Sequence, residues 1–476
     1  MTQGGTNRRR TYIDLLDDDS LLYIFYRYRP VVSEEGGDHD ELEGGGWKRE
    51  YWWYLLTWVC RRWRHLILAS PSYLGLSLVC RPGTPVADML AHSPPLPLII
   101  DHHRFINITA EDEEGILLAL KHSDRVRRIR FHVVGPVPSL ERFIAAIDKE
   151  FPMLEYLYIY PVFMLHSYWS LPSTLCAPQL RHLVLFEFTF PIGCPLPVGL
   201  VTLSLQCIDL AADFGPNELL QQLSLMPQLE TLKITFASPP SDQDVEGQLS
   251  QTPLSTRVTL PNLHSFMFKG PLTYIQSVLP RITMSSLKVA EIKPPTTRNL
   301  AFSTSLVLQF VYKTEKPRFR DVRVTFDPVL VAMTMYPHEG TGMPALRMQD
   351  YCRVSLVGLA STVQKFHAMG PVFSEVELLT LEDKTPFGLH KHSSIRTDWH
   401  ELLGLFNKVR TLHVTSDDLI EQLSCYLQPH DGESAIELLP TLSVLSCPQG
   451  SHIGESCRSF LAARRDAGHL VTISQY

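Results

Sequence analysis

The feature of this sequence that most constrains its fold is a recurring triplet of apolar residues. An apolar residue is followed by two others, three and five positions later, as in Leu154/Leu157/Ile159. A two-residue apolar step is typical of a β-strand that buries one face. Such triplets begin at positions 126, 154, 180, 200, 229, 263, 287, 319, 376, 409 and 442. The pattern therefore predicts many short strands at regular spacing.

The period of the triplets indicates the kind of repeat. If the gap between positions 319 and 376 holds one unread copy, the 316 residues from 126 to 442 divide into 11 steps of about 29 residues, at the upper end of the leucine-rich-repeat period. A single unit cannot bury its own apolar face, so a core forms only by stacking. We predict an α/β solenoid over 76–476, with parallel strands on the concave face, helices and loops outside, and a C-terminal cap from about 450. The alternative is an ordinary α/β domain whose strands match the triplet by chance.

Composition and charge exclude several classes of protein. The chain has 476 residues, of which 45% are hydrophobic, enough for a large core. The net charge is −7, and six carboxylates between positions 33 and 46 account for −6 of it, so the rest of the chain has a net charge of about −1 (−7 plus 6). A nucleic-acid binder usually has a basic domain, so this charge argues against that class. No apolar run is long enough for a membrane span. The basic residues near the N-terminus are not followed by the apolar run of a signal peptide. Nine scattered cysteines without a CxxC pair favour a reducing compartment, so we expect a cytoplasmic or nuclear protein.

The first 75 residues predict a small helical module over 11–75. Asp17 is a candidate N-cap for a first helix. A second helix is expected from near Tyr51, with apolar residues at three- and four-residue steps, and Pro71 is expected to end it. Between the two helices, the acidic, glycine-rich insertion 29–50 is expected to be a loop.

Signatures of catalysis and metal binding are missing from the sequence. It contains no GxxxxGK[ST], GxGxxG, GxSxG or HExxH motif. The pair His102/His103, the pair His390/His392 and the trio Cys447, His452 and Cys457 lack the spacing of a zinc site, and we interpret them as solvated loop residues. We therefore predict no enzyme activity, no catalytic residue, no metal site and no cofactor.

The helical module closely resembles the F-box motif. The resemblance rests on Leu16, Asp18-Asp19, Leu21-Leu22-x-Ile24-Phe25 and Val59-Cys60-Arg61-Arg62-Trp63, and the run from Ala69 to Cys80 is similar to F-box proteins of mushroom-forming fungi that also carry leucine-rich repeats. Asp17 stands where the motif has proline, and Ser20 where an apolar residue is usual. By this resemblance the adaptor-binding or module-core residues are Leu16, Leu21, Leu22, Ile24, Phe25, Val59, Cys60 and Trp63.

The resemblance implies a substrate-recognition subunit of an SCF (Skp–cullin–F-box) ubiquitin ligase. Its F-box would bind a Skp-type adaptor and through it a cullin, and the repeats would bind a protein substrate. One alternative is that the apolar residues pack against the first repeat as a cap. The chain would then be a non-catalytic leucine-rich-repeat scaffold without ligase association.

A substrate surface is expected on the concave face. Strand residues two, four and six positions after the first apolar residue of a triplet point away from the core. In the first repeats these positions combine arginine with aromatic residues, a composition typical of interface hot spots. Tyrosine also has a high strand propensity, so its presence has a purely structural alternative. The predicted substrate-binding residues are Arg128, Arg130, Tyr156, Tyr158, Tyr160 and His182. His132 occupies the third such position of the first strand.

Overall fold

A computed structural model gives the fold of most of the chain. It describes residues 12–29, 52–103, 109–134, 137–162, 169–189, 197–208, 215–236, 256–270, 272–293, 318–327, 330–337, 345–350, 373–384, 396–427, 437–449 and 457–476. The chain divides into two compact units, one formed by Met1–Ser167 and Leu171–Leu183, the other by Tyr168–Ser170 and Val184–Tyr476. Most of the predicted acidic loop, residues 30–50, lies outside the described residues.

Short helices alternate with strands along the described parts of the chain. None of these helices is long and apolar enough to cross a membrane. The helices are α1 Asp18–Tyr28, α2 Trp52–Thr57, α3 Arg61–Ala69, α4 Pro71–Leu74, α5 Val86–His92, α6 Ala110–Lys121, α7 Val137–Ala146, α8 Pro216–Ser224, α9 Leu272–Val278, α10 Arg396–Gly404, α11 Asp417–Leu427 and α12 Arg458–Asp466, with 3₁₀ turns at Tyr12–Leu15 and Leu279–Arg281.

The strands form one long, mostly parallel sheet, which confirms the predicted α/β class. Sixteen strands pair in the order β1-β2-β3-β4-β6-β8-β9-β11-β13-β16-β15-β14-β17-β18-β19-β20, and two small sheets pair β5 with β7 and β10 with β12. The strands are β1 Leu78–Cys80, β2 Leu98–His103, β3 Val126–Val134, β4 Tyr156–Val162, β5 Trp169–Ser170, β6 His182–Phe186, β7 Phe188–Thr189, β8 Thr202–Ile208, β9 Thr231–Phe236, β10 Val258–Thr259, β11 Ser265–Lys269, β12 Ile282–Thr283, β13 Val289–Lys293, β14 Phe319–Asp327, β15 Leu330–Pro337, β16 Ala345–Asp350, β17 Leu378–Asp383, β18 Thr411–Val414, β19 Val444–Cys447 and β20 Thr472–Gln475.

The triplet residues of neighbouring strands lie side by side in the sheet. In the first unit Leu157 of β4 is opposite Ile129 of β3, and Ile159 is opposite Phe131. All four side chains are fully buried. The second unit repeats this register, with Phe266 of β11 beside Leu232 and Ala290 of its two neighbours. Because side chains alternate between the two faces of a strand, this register puts every triplet on the core side.

The prediction of parallel strands is wrong for β15, and the strands between positions 319 and 350 do not follow chain order in the sheet. Here β16 lies beside β13, with Leu346 opposite Ala290, while β14 lies beside β17. Between them β15 is antiparallel to both β14 and β16. A parallel pair needs a crossover of a dozen or more residues, and only two residues separate β14 from β15, so they form a hairpin. The repeat that the triplet search did not find between positions 319 and 376 is therefore β16.

The second helix of the predicted module is two helices instead of one. Helix α2 ends at Thr57, and Cys60, in extended backbone conformation, caps α3 by accepting a hydrogen bond from the Trp63 N–H at 3.5 Å. Pro71 occupies the first turn of α4, where its missing N–H costs nothing. The predicted cap of α1 is confirmed, because the Asp17 carboxylate accepts from the Ser20 N–H at 2.6 Å.

In the region of the predicted C-terminal cap the structure has one helix and one strand. Helix α12 precedes β20, which pairs in parallel with β19. The guanidinium of Arg464 in α12 is buried and donates to the carbonyls of Leu438 and Leu439, the latter at 2.8 Å. Leu439 has a φ of +50°, a backbone conformation that is strained for leucine. The arginine therefore fixes a strained turn just before β19.

His102 is a core residue, so its interpretation as a solvated loop histidine is wrong. It lies in β2 with 1% of its surface exposed, and its ring contacts Phe131 and Phe143 at centroid distances of 6.4 and 5.0 Å. Neither ring nitrogen has a hydrogen-bond partner. Burial lowers the pKa of His102, and its own backbone and the carboxylates of Glu113, Asp101 and Asp112 only partly oppose this. The imidazole therefore binds a proton less readily in the folded chain than in the unfolded chain.

Replacement of His102 by leucine is expected to raise the free energy of unfolding at neutral pH by about 1 kcal/mol, because an unsatisfied buried polar ring is removed. The unfolded chain, with an ordinary histidine pKa of about 6.5, binds the proton more readily than the folded chain. Stability therefore falls as pH drops below about 6.5. Urea titrations of both proteins from pH 7.5 to 5 should show a shallower pH slope for His102→Leu. Equal slopes would contradict the assignment.

Candidate functional site

The first unit presents the predicted substrate-binding residues on one face of β3 and β4. Ile129 and Phe131 are buried on the core side, whereas Arg128 and Arg130 are half-buried on the opposite face. In β4 the three tyrosines alternate with buried residues in the same way. We call the face that carries these arginines and tyrosines the open face. The predicted alternation is therefore observed at these positions.

The parallel register pairs each basic residue of β3 with a tyrosine of β4. Arg128 is opposite Tyr156, Arg130 is opposite Tyr158 and His132 is opposite Tyr160. The guanidinium carbons lie 4.9 Å and 5.6 Å from the centroids of the first two rings, within the range of a cation–π interaction. The His132 and Tyr160 rings meet edge to face at 4.7 Å. We call these six residues the Arg–Tyr ladder.

Ring contacts extend the ladder along and across the strands. Tyr158 and Tyr160 stack with centroids 6.3 Å apart, and Tyr156 lies 6.0 Å from His182 of β6. The structure thus brings all six predicted substrate-binding residues into one continuous surface. Each of the three tyrosine rings therefore contacts two other side chains of this surface.

Two further charged residues belong to this surface and were not predicted. Asp101 of β2 is opposite Arg130, and Arg81 directly follows β1. Burial raises the pKa of Asp101, and the charges of Arg130, Arg128 and Arg81 oppose that rise. The triplet search missed β2 because its core positions, which align with Ile129 and Phe131, are Ile100 and the polar His102.

The predicted adaptor residues divide into buried and exposed sets. Leu21 and Phe25 of α1 are core residues, and Leu16, Leu22 and Trp63 are half-buried. The Phe25 and Trp63 rings meet edge to face at 4.8 Å, and Arg62 bridges to the Asp18 carboxylate at 2.7 Å and donates to the Leu16 carbonyl at 2.6 Å. These residues hold the module together. Ile24, Val59 and Cys60 are exposed.

Large apolar side chains are exposed in α2 and in the turn between α2 and α3. Leu55 of α2 and Val59, which lies between the two helices, are both outside the core. Trp58 itself was not predicted as a site residue. The exposed fractions are 47% for Ile24, 62% for Leu55, 65% for Trp58 and 59% for Val59. We call these four residues the exposed apolar set.

Among the described residues, no group of three or more histidine, cysteine, aspartate and glutamate side chains could hold a metal ion. Of the trio Cys447, His452 and Cys457, the two cysteines are described and both are buried, so their interpretation as solvated loop residues is wrong. His452, His390 and His392 lie outside the described residues.

The chain shows weak similarity to known proteins. No protein-family model matches it, and no curated protein matches it. Among solved structures, InlP of Listeria monocytogenes is similar with a TM-score of 0.17 and 13% sequence identity, over 49% of this chain and 89% of InlP. A TM-score this low assigns neither a fold nor a function to the chain.

Proposed function

We propose that this chain is a non-catalytic interaction scaffold that works as the substrate-recognition subunit of an SCF-type ubiquitin ligase. The helical module would bind a Skp-type adaptor, and through it a cullin, while the open face of the sheet would bind a protein substrate. The chain would act in the cytoplasm or nucleus. It would raise the effective concentration of the substrate near the ubiquitin-conjugating enzyme by tethering, with no chemistry of its own.

The exposed apolar set is the observation that carries this proposal. The core of the module is filled by Leu21, Phe25, Leu66 and Ile67, so Ile24 and Val59 are not needed inside. Contiguous exposed apolar residues mark interaction surfaces, tryptophan is enriched in binding hot spots, and three of the four residues of the exposed apolar set lie between positions 55 and 59. Two of the four residues, Ile24 and Val59, are among those that resemble the F-box motif. The choice of a Skp-type adaptor as the partner comes from that resemblance.

A scaffold without ligase association is the second candidate function. It is favoured by the internal contacts of the module, in which Phe25 packs on Trp63 and Arg62 pairs with Asp18. These four residues of the motif therefore have a structural role that needs no adaptor. Adaptor binding separates the two candidates.

Replacement of Val59 by aspartate is expected to weaken binding of a Skp-type adaptor by at least about tenfold, because a carboxylate would be buried in an apolar interface. Isothermal titration calorimetry of the purified full chain measures this directly. Val198→Asp is the matched control, since Val198 is also an exposed valine, with 62% of its surface accessible, in the second unit. Circular dichroism should be unchanged in both variants.

Trp63 is unsuitable for this test, because its ring packs on Phe25 and its removal would damage the module itself. Wild-type binding that Val59→Asp abolishes and Val198→Asp preserves would support the ligase subunit. A folded wild-type chain that binds no adaptor would contradict it and leave the scaffold.

A further inference from the structure

Strand β20 forms one edge of the long sheet. It pairs with β19, in which Ser446 is opposite Ser474, and among the described strands no other one pairs with its far side. All four residues of β20 are exposed, and none of them is a proline or carries a charge. Proteins commonly use charged side chains and prolines to keep edge strands from pairing with other chains. Neither device is present in β20.

The peptide groups of β20 alternate between β19 and the edge of the sheet. The N–H of Thr472 donates to the Ser443 carbonyl at 2.8 Å, and the N–H of Tyr476 donates to a β19 carbonyl at 3.0 Å. In a parallel pair every second residue turns both its N–H and its C=O to the same neighbour. The N–H and C=O groups of Ile473 and Gln475 therefore point away from β19, toward the edge.

The same edge exposes an apolar side chain on the core side of the sheet. Ile473 is opposite Leu445 of β19, which is a buried residue, so both side chains lie on the core side. Ile473 nevertheless has 41% of its surface exposed, and Leu470, just before the strand, has 66%. Each unit of a solenoid buries its apolar face only against its neighbours. A further strand beside β20 would cover Ile473 in the same way.

We propose that β20 pairs in antiparallel orientation with β20 of a second copy of this chain. With Ser474 on the two-fold axis, Ile473 of each copy is opposite Gln475 of the other, and each of these pairs exchanges two hydrogen bonds. Every edge-facing N–H and C=O group of Ile473 and Gln475 then has a partner. The two sheets become one continuous sheet. This inference goes beyond the proposed function, because it concerns a surface that neither the adaptor nor the substrate would use.

The two edges of the sheet differ in a way that favours a closed dimer. The edge strand at the other end is β1, whose three residues are at most 4% exposed. A head-to-tail contact of β20 with β1, which would make an open fibre, is therefore blocked, whereas a contact of β20 with itself closes as a dimer. Residues 470–476 include no charged side chain, so the two edges meet without like-charge repulsion although each chain has a net charge of −7.

Sedimentation velocity of the full chain tests the dimer. Because two short strands make a small contact, we expect a weak dimer with a Kd of about 10 µM. Between about 1 and 100 µM the average mass should rise from that of one chain toward that of two, and no larger species should form. Added salt should not weaken the dimer, since no charges meet in it.

Two variants of β20 should each weaken the dimer at least about tenfold. Gln475→Pro removes an N–H that bonds only to the second copy and leaves the bonds to β19 in place. Ile473→Lys puts an ammonium group on the core side of the contact. Ile13→Lys is the matched control, since Ile13 is an isoleucine of the first unit with 48% of its surface exposed, and it should leave the Kd unchanged.

Hydrogen–deuterium exchange resolved to single amides shows where the copies meet. As the concentration rises, exchange should slow at Ile473 and Gln475, whose N–H groups are bonded only in the dimer. The Thr472 amide, already bonded to β19, should be protected at every concentration and in both β20 variants, which shows that the strand stays in place.

Three results would overturn the inference. They are a chain that is monomeric at about 100 µM, a dimer with unchanged Kd in Gln475→Pro, and a dimer that Val59→Asp abolishes. The last result would assign the contact to the helical module instead. Because no adaptor is present in these experiments, failure here leaves adaptor binding untouched, and loss of adaptor binding through Val59→Asp leaves the dimer intact.

Discussion

The Phe131→Ala variant is expected to lower the free energy of unfolding by about 3–5 kcal/mol, the range for deleting a buried phenylalanine side chain. Phe131 is fully buried in β3 and stacks on Phe143 of α7 with ring centroids 5.0 Å apart and planes at 20°. It is also the third residue of the first triplet, opposite Ile159 in the next strand. The loss therefore combines apolar area, a stacked ring pair and the cavity that remains. Equilibrium urea denaturation of the full chain measures it.

Two further variants test whether the cost depends on the buried volume and on the face of β3 from which the side chain is removed. Phe131→Leu should lose less, because most of the buried volume is kept. Arg130→Ser, one residue away but on the open face, should lower the free energy of unfolding by less than Phe131→Ala does. A cost at position 130 equal to that at position 131 would contradict the alternation on which both the core and the ladder depend.

The Tyr274→Ala variant is expected to destabilise the second unit by a similar amount, about 3–5 kcal/mol. Tyr274 of α9 is fully buried and packs on Phe236 and Phe268 at centroid distances of 5.0 and 6.0 Å. The neighbouring Gly270 shows how tight this cluster is, since a Cβ atom there would lie 2.3 Å from the Phe236 ring. Rings packed so closely cannot collapse into the space left by tyrosine without moving backbone.

The hydroxyl of Tyr274 contributes much less than its ring. It lies 3.5 Å from the Gly215 carbonyl, which is long for an O–H donor. Tyr274→Phe should therefore cost at most about 1 kcal/mol. Urea denaturation of both variants checks the difference, and a Tyr274→Phe loss as large as that of Tyr274→Ala would show that the hydrogen bond, rather than the ring, holds α9 on the sheet.

The sequence predicts the strands of this chain well because the triplet reports directly on burial. Leu157 and Ile159, chosen only by spacing, are core residues in register with their neighbours. Arg128, Arg130 and the tyrosines of β4 could be placed together by the same alternation. The F-box resemblance drew attention to residues 16–63 but did not separate their roles, since Phe25 is buried and Val59 exposed.

The parts that sequence reasoning missed depend on contacts between distant segments. Sheet order around β16 is decided by a hairpin that reverses the chain, and the triplet spacing contains no information on strand direction. The triplet pattern requires an apolar residue at the core position that His102 occupies. It therefore did not identify β2 or place Asp101 in a strand. The division between α2 and α3 depends on Cys60 as a cap, and cysteine is not among the residues usually expected there.

Hydrogen–deuterium exchange of the full chain with and without a Skp-type adaptor tests the central claim most directly. Amides of a surface that becomes buried exchange more slowly. If the exposed apolar set is the adaptor surface, protection should appear in α1 and in residues 55–69, while the amides of β3 and β4 stay unchanged. Adaptor-induced protection confined to the sheet, or no protection anywhere at saturating adaptor, would contradict the proposed role of the helical module.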